Sequence, residues 1–342
     1  MSTLLQEMLA DKDCLLADGA TGTNLFAMGL GHGDAPELWN IDQPDKVRAH
    51  YRSFIQAGSD IVLTNSFGGT ANRLRLHGAE DRVDEINQAA ARLLKEEISA
   101  AGRPVVCAGS VGPTGDLFEP LGPLTHAAAE HAFAEQMAAL ADGGVDAIWI
   151  ETMSAVAEVE AALEAAARIG LPVVCTLSFD TNGRTMMGVA PVDLVRLVHG
   201  RHRPPVAFGG NCGTGAPDLL AGLLSMAGTL KDTDVVVTKA NCGIPEFADG
   251  EVRYRGTPEM MADYAVLARD AGARIIGGCC GTKPEHVAAM RRALDERPRG
   301  ETPDLEAITA RLGALTGNTA DILSGPSGDT PAPRRRRRRP DR

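Results

Sequence analysis

Three cysteines carry the most legible chemistry in this sequence. Cys212 stands in Gly209-Gly-Asn-Cys-Gly213, and Cys279 and Cys280 are adjacent in Gly277-Gly-Cys-Cys-Gly-Thr282. Three thiolates with one open position are the donor set of a catalytic zinc site, whereas a closed set of four is structural. The flanking glycines free the backbone to bring sulfurs within about 2.3 Å of an ion. A single cysteine is ordinarily a small buried hydrophobe, but packing explains an adjacent pair framed by glycines poorly. Successive strand residues face opposite sides, so both can reach one ion only where the strand has already turned. Cys14, Cys107 and Cys175 lie inside apolar runs and read as core, and Cys242, in a loop near the others, also reads as structural. Seven cysteines, without the spacing of a small secreted domain, do not make a disulfide framework.

Asp18 and Glu151 each end an apolar run among small residues. Two carboxylates on one face would hold an ammonium group through charge-assisted hydrogen bonds, although lone acids at such places more commonly face solvent or cap a helix. The backbone N–H groups around Gly19 and Thr21 would cradle a carboxylate, as turns and helix N-termini do. The eight histidines show no metal spacing, and no His-Glu-x-x-His occurs. The glycine runs match neither a dinucleotide fingerprint nor a phosphate loop, so nucleotide binding is unsupported.

These residues must be positioned by something, and the chain supplies a repeating frame. Eight short runs rich in Val, Ile and Leu, at 14–17, 61–64, 105–108, 147–150, 173–177, 206–208, 235–238 and 274–276, alternate with helical patterns. Runs apolar on both faces suit parallel strands covered on each side. Helices are expected at 154–169, with Ser154 as N-cap and Gly170 as stop, at Pro258–Asp270, and at 305–315. Eight strand–helix repeats predict an α/β fold, a (β/α)8 TIM barrel, with a doubly wound open sheet as competitor. Polar, Cys and Gly residues collect just after the strands, where a barrel places its chemistry.

A barrel domain over residues 1–320 and a disordered Arg-rich tail over 321–342 are therefore expected, disorder starting at about Ser324. The net charge is −11 although the chain from Thr330 onward holds seven arginines and one aspartate, so the body is more acidic still. Such a body has no nucleic-acid groove. No apolar run is long enough to span a membrane, and the first residues lack a signal pattern, which predicts a cytoplasmic protein.

Taken together, Asp18-Gly-Ala-Thr-Gly-Thr23, Thr64-Asn-Ser-Phe67, Gly109-Ser-Val-Gly-Pro113, Glu151-Thr152, Gly210-Asn-Cys-Gly213, Asn241-Cys-Gly-Ile-Pro245 and Gly277-Gly-Cys-Cys-Gly-Thr282 resemble the homocysteine S-methyltransferase family over residues 14–298. The resemblance implies that Cys212, Cys279 and Cys280 ligate Zn2+. It implies that Asp18 and Glu151 hold homocysteine, with the backbone at Gly19 and Thr21 on its carboxylate. It also implies that the Asn241 side chain occupies the fourth zinc position until the substrate arrives, and that a homo-oligomer is possible. Zinc would strip the thiol proton, and the sulfur would take a methyl group in line from a small cationic donor.

Two stretches, Gly31-His-Gly-Asp-Ala-Pro-Glu-Leu-Trp-Asn40 and Thr185-Met-Met-Gly188, look most like bacterial betaine–homocysteine S-methyltransferases, so betaine is the expected donor and dimethylglycine the by-product. Gly68 and Thr152 stand where animal-type betaine enzymes have tyrosines. Aromatics near strand ends, namely Trp39, Phe67, Phe118, Phe179 and Phe208, are the candidates to face a methylammonium instead. A sulfonium donor (S-methylmethionine, S-adenosylmethionine or dimethylsulfoniopropionate) is the alternative. So are another thiol acceptor and a non-catalytic zinc or thiol-sensing barrel. In 342 residues there is no room for separate folate and corrinoid domains.

Overall fold

All eight apolar runs become parallel strands in the computed structural model, which describes residues 2–248 and 251–324. They are β1 (Leu15–Leu16), β2 (Ile61–Leu63), β3 (Val106–Val111), β4 (Ala147–Met153), β5 (Val173–Leu177), β6 (Ala207–Cys212), β7 (Val236–Ala240) and β10 (Ile275–Gly278). The sheet order is β1-β10-β7-β6-β5-β4-β3-β2, and a parallel bridge from Ala17 to Ile61 brings β2 back to β1. This is the expected (β/α)8 barrel and not the open sheet. A hairpin of β8 (Pro245–Ala248) and β9 (Glu251–Tyr254) is inserted after β7, which the sequence pattern did not suggest.

The pleat sorts each strand into two cores. Leu15, Ala17, Ile61, Leu63, Trp149 and Val237 point into the barrel, whose lower end is plugged by Leu5 and Met8 of the helix Leu4–Asp11. Alternate residues such as Leu16, Val62, Cys107, Ile150 and Cys175 meet the surrounding helices. Cys14, Cys107 and Cys175 are buried there, as their runs predict. Several strands run further than their apolar stretch, because ladder hydrogen bonds carry the polar residues Ser110, Glu151, Asn211 and Cys212 inside the sheet.

The helix expected at 154–169 spans Val156–Ile169, and its N-cap is Ala155, not Ser154. The Ser154 carbonyl instead accepts a hydrogen bond from the Thr185 hydroxyl at 2.7 Å. Pro258–Asp270 forms as read, capped by the Thr257 hydroxyl. The last helix is Leu305–Leu312, and a 3-10 turn, Thr319–Ser324, runs through the boundary expected at 320. The remainder of the expected tail lies outside the described residues. No helix among the described residues is long and apolar enough to cross a membrane.

His50, on the helix Pro44–Gln56, is 3% exposed, packs edge-on against Phe54, and has no partner for Nε2. Burial lowers its pKa to about 4. The unfolded chain binds this proton near pH 6.5, so the contribution is complete above that pH and is lost as pH falls toward 4. His50→Phe is expected to flatten this acid limb by roughly 3 kcal/mol. Urea denaturation of both proteins between pH 4 and 7 checks it, and a wild-type–variant difference independent of pH contradicts it.

Candidate metal centre and substrate cleft

Cys212 ends β6 and Gly278 ends β10, and both pair in register with Ala240 of the intervening β7. Cys279 and Cys280 follow in a turn, so the alternation of a strand no longer separates them. The sulfurs of Cys212 and Cys280 are 3.9 Å apart, and all three lie within 4.8 Å of one another. A tetrahedral ion with bonds of about 2.3 Å requires sulfurs about 3.8 Å apart. The donor set therefore fits a zinc-like ion with one position left open.

Two asparagines fix the turns. Asn241 accepts from the Cys280 N–H at 3.0 Å and donates to the Gly213 carbonyl at 2.7 Å, so its side chain straps the two cysteine segments together. The oxygen expected at the fourth zinc position is thus engaged with backbone. Asn211 accepts from the Thr152 N–H and the Thr176 hydroxyl, and donates to the Thr152 hydroxyl at 2.7 Å and toward Cys279 Sγ at 3.7 Å. Thr152 and Cys212 have φ of 62° and 58°, conformations that cost about 1–3 kcal/mol and persist where neighbours over-determine them. Asn211 is that neighbour for Thr152. Tyr254, at the end of the hairpin, lies beside the Cys279–Cys280 turn; burial first, and Cys280 next, raise the phenol's pKa. Gly281, at φ 76°, leaves the space, since a Cβ there would lie 2.3 Å from Tyr254 Cβ.

The thiols oppose one another's ionisation. The Cys279 contact pulls Cys212 down, but Cys280 and burial prevail and push it up to about 12. Cys280, lowered by Cys212 and raised by Cys279, also reaches about 12, and Cys279 is raised, chiefly through Cys212. A cation shared between the sulfurs is the chemistry that offsets this repulsion. Cys242 takes no part; it is buried and its thiol donates to the Gly256 carbonyl.

Beside the sulfurs opens a cleft of about 570 Å3 walled by Gly19, Thr21, Phe67, Ser110, Glu151 and Thr152. Asp18 is not in this wall. Its Oδ1 accepts from Lys239 Nζ at 2.7 Å and its Oδ2 from the Leu63 N–H at 2.8 Å, sealing the seam where the two-residue β1 meets β2. Of the expected pair of carboxylates, Glu151 lines the cleft and Asp18 lies behind it. Lys239, which the apolar run of β7 concealed, takes Asp18's place in the wall. Burial disfavours its charge, but Asp18 and Glu151 outweigh burial and raise its pKa. Glu151 accepts from the Ser110 hydroxyl at 2.5 Å, and burial pushes its carboxyl up. A register shift between Ile150 and Met153 turns both Glu151 and Thr152 into the cleft.

The wall also includes Phe26, Glu37 and Arg73; Glu37 belongs to the Gly31–Asn40 stretch, and the other two were singled out by no motif. Glu37 is buried and accepts from the Gly68 N–H at 2.6 Å; burial raises its pKa. Arg73 has no ion-pair partner among the described residues, though its charge acts on Glu37 and Glu158. Of the candidate aromatics only Phe67 faces the cleft. Phe179 and Phe208 are core, Phe118 packs on it, and Trp39 does too, while stacking under Lys46.

The homocysteine S-methyltransferase family model matches residues 15–294. The chain belongs to that family. Among solved structures it is similar to the metallated form of the homocysteine methyltransferase MmuM from Escherichia coli, with a TM-score of 0.69 and 26% identity over 84% of this chain and 99% of that one. The oxidised form of the same protein superposes with a TM-score of 0.68. Methionine synthase from Mycobacterium tuberculosis is 28% identical over 314 residues, 84% of this chain, and that from Mycobacterium leprae is also 28% identical. The chain spans about a quarter of the length of these two relatives.

Because Asn211 holds Thr152 and reaches Cys279, Asn211→Ala is expected to lower stability by about 2–3 kcal/mol and to speed loss of bound metal to a chelator. Denaturant unfolding and a zinc-release assay check this; unchanged values in both contradict the bracing role.

Proposed function

We propose that the chain is a zinc-dependent homocysteine S-methyltransferase that takes its methyl group from a small cationic donor, with betaine as first candidate. The observation that carries the reading is the set of three sulfurs spaced for one ion at the wall of a cleft. Cys212, Cys279 and Cys280 would hold the ion, which supplies the Lewis acidity that keeps a thiol deprotonated near neutral pH. The cleft then aligns sulfur and methyl carbon. As the S–CH3 bond forms, the C–N bond of betaine breaks and its electron pair stays on nitrogen, leaving methionine and a dimethylglycine whose amine is neutral and whose carboxylate is still charged; the proton lost by the thiol goes to solvent, which returns one to that amine. No protein base is needed.

The outer wall suits such a donor. Phe26 and Phe67 offer ring faces to an onium group, each worth about 0.5–2 kcal/mol. The Glu37 carboxylate adds negative charge, and Arg73, which has no ion-pair partner among the described residues, matches a donor carboxylate. Betaine and dimethylsulfoniopropionate share this pattern of one cation and one carboxylate, and S-methylmethionine adds an ammonium to it.

A second reading rests on the rim. Every large hydrophobic side chain that is exposed among the described residues lies in a segment following a barrel strand's carboxyl end, including Leu76, Leu117, Leu121, Met186, Met187 and Ile244. Exposed apolar side chains on the loops of this face, of which Phe26 and Leu76 line the cleft, also suit a bulky methyl carrier.

The test is zinc-loaded protein with homocysteine and, separately, betaine, S-methylmethionine, S-adenosylmethionine, dimethylsulfoniopropionate and methylcobalamin, scored for methionine. Betaine is expected to be the best donor. A sulfonium or methylcobalamin working in its place overturns the choice of donor, and methionine from none of them favours the non-catalytic, thiol-sensing barrel. Cys279→Ala is expected to lose both metal and turnover, and Glu37→Gln to raise the donor KM about tenfold with less effect on the homocysteine KM.

A further inference from the structure

The family match ends at residue 294, and the described chain runs on to Ser324. The last helix, Leu305–Leu312, packs against Ala216–Met226 and Pro258–Asp270. After Gly313 the chain reaches two loops at the carboxyl ends of the strands. On the loop after β5, Asn182 Oδ1 accepts from the Asn318 N–H at 3.0 Å. Glycines on both sides make room for this contact: a Cβ at Gly317 would lie 2.2 Å from Asn182 Oδ1, and one at Gly183 would lie 2.8 Å from Ile322 Cδ1. On the loop after β6, the Thr316 N–H donates to Asp218 Oδ1 at 3.0 Å. The Thr316 hydroxyl lies 3.0 Å from both Asp218 Oδ1 and the Thr214 hydroxyl. A hydroxyl has one proton, and a carboxylate only accepts, so Thr316 donates to Asp218 and accepts from Thr214. Asp218 is 3% exposed, its Oδ2 has no hydrogen bond, and it has no ion-pair partner among the described residues. It stands in the first turn of Ala216–Met226, where the helix N-terminus favours its charge. The two donors of Thr316 supply the rest of its compensation.

We infer that residues 313–324 form a strap over the metal-bearing rim, with Thr316 as a positioning residue for Cys212. Thr214 follows Cys212 by two residues and Asp218 follows it by six. Without the Thr316 donors, Asp218 is buried, charged and unmatched, and the start of its helix shifts to bring it to water. Cys212, at φ 58°, sits in a conformation that persists only while its neighbours impose it, so that shift displaces its sulfur. The other anchor acts on the opposite flank: the loop that carries Asn182 also carries Thr185, whose hydroxyl donates to the Ser154 carbonyl, two residues beyond Thr152 of the cleft wall. Resting on the proposed reading of the three sulfurs as zinc ligands, this assignment extends the working unit beyond the residues that the family match covers.

The experiment follows zinc transfer to a chelator, and urea unfolding, in four full-length proteins. They are the unmodified chain, Thr316→Val (no hydroxyl, same shape), Thr316→Ser (hydroxyl restored) and Ile55→Val, a core truncation in the helix Pro44–Gln56, far along the chain from the strap. Thr316→Val is expected to release zinc about tenfold faster than the unmodified protein, and Thr316→Ser within about twofold of it. Ile55→Val is expected to lower the urea midpoint with no change in zinc release. Asp218→Asn, which removes the buried charge, is expected to slow zinc release when added to Thr316→Val. The strap is overturned if Thr316→Val releases zinc no faster than Ile55→Val, or if Thr316→Ser releases it as fast as Thr316→Val. Faster release from the Asp218→Asn, Thr316→Val double variant overturns the role given to the charge. Should Thr316→Val fail to fold, Asn182→Gly decides, since it gives up the Asn318 anchor and suits a φ of 51°. Release about threefold faster then supports the strap, and unchanged release overturns it. An unmodified protein that retains no zinc removes the reading of the three sulfurs and the strap's role with it, whereas zinc held equally by every variant removes the strap's role alone.

Discussion

The site depends on one register. Ala240 of β7 is level with Cys212 on one side and Gly278 on the other. Strands three abreast span about 10 Å from first to third, so sulfurs from the outer two converge only where the chain has left the regular pleat: at Cys212, with its φ of 58°, and in the turn after Gly278, which brings two sulfurs from the same side. A slip of one residue in either ladder would send Cys212 or Gly278 to the opposite face. The hydrogen bonds of Asn241 and Asn211 hold this register at its carboxyl end, where the ladders themselves have stopped.

Charge inside the barrel follows from the same economy of space. A two-residue β1 cannot close a sheet by backbone pairing alone, and the Asp18 carboxylate completes the seam by accepting from the Leu63 N–H. A buried carboxylate needs a counter-ion, and Lys239 supplies it from β7, two strands away. The closure of the fold and the polarity of the cleft are thereby one network. The sulfurs, the ammonium and the Glu151 carboxylate share a small, mostly apolar cavity, where each is worth more electrostatically than it would be in water.

Much of this was legible in the sequence. Apolar runs marked every barrel strand, and the clustering of Cys, Gly and acidic residues just after them identified the working face. Cys212, Cys279 and Cys280 converge as their types and glycine neighbours imply, and Gly19, Thr21, Phe67 and Glu151 line the cleft. What was hidden depends on pairing across the barrel. Lys239 sits within Val-Val-Val-Thr-Lys-Ala, where one charge in an apolar strand was itself the available signal. The bonds of Asp18 to Lys239 and Leu63, and the strap that Asn241 makes between Cys280 and Gly213, join residues far apart in sequence and left no local signal. Tyr254 belongs to a hairpin whose strands are only four residues each. Arg73 carries no motif, Glu37 sits unremarked within the Gly31–Asn40 stretch, and only the folded loops bring them to the cleft.

The central claim is that three sulfurs share one ion and leave a place for a fourth. X-ray absorption at the zinc edge of the loaded protein, before and after adding homocysteine, measures this directly. Three sulfur neighbours at about 2.3 Å, becoming four with homocysteine, is the predicted result. Fewer than three sulfurs in the resting protein, or a sulfur count that homocysteine leaves unchanged, would contradict it.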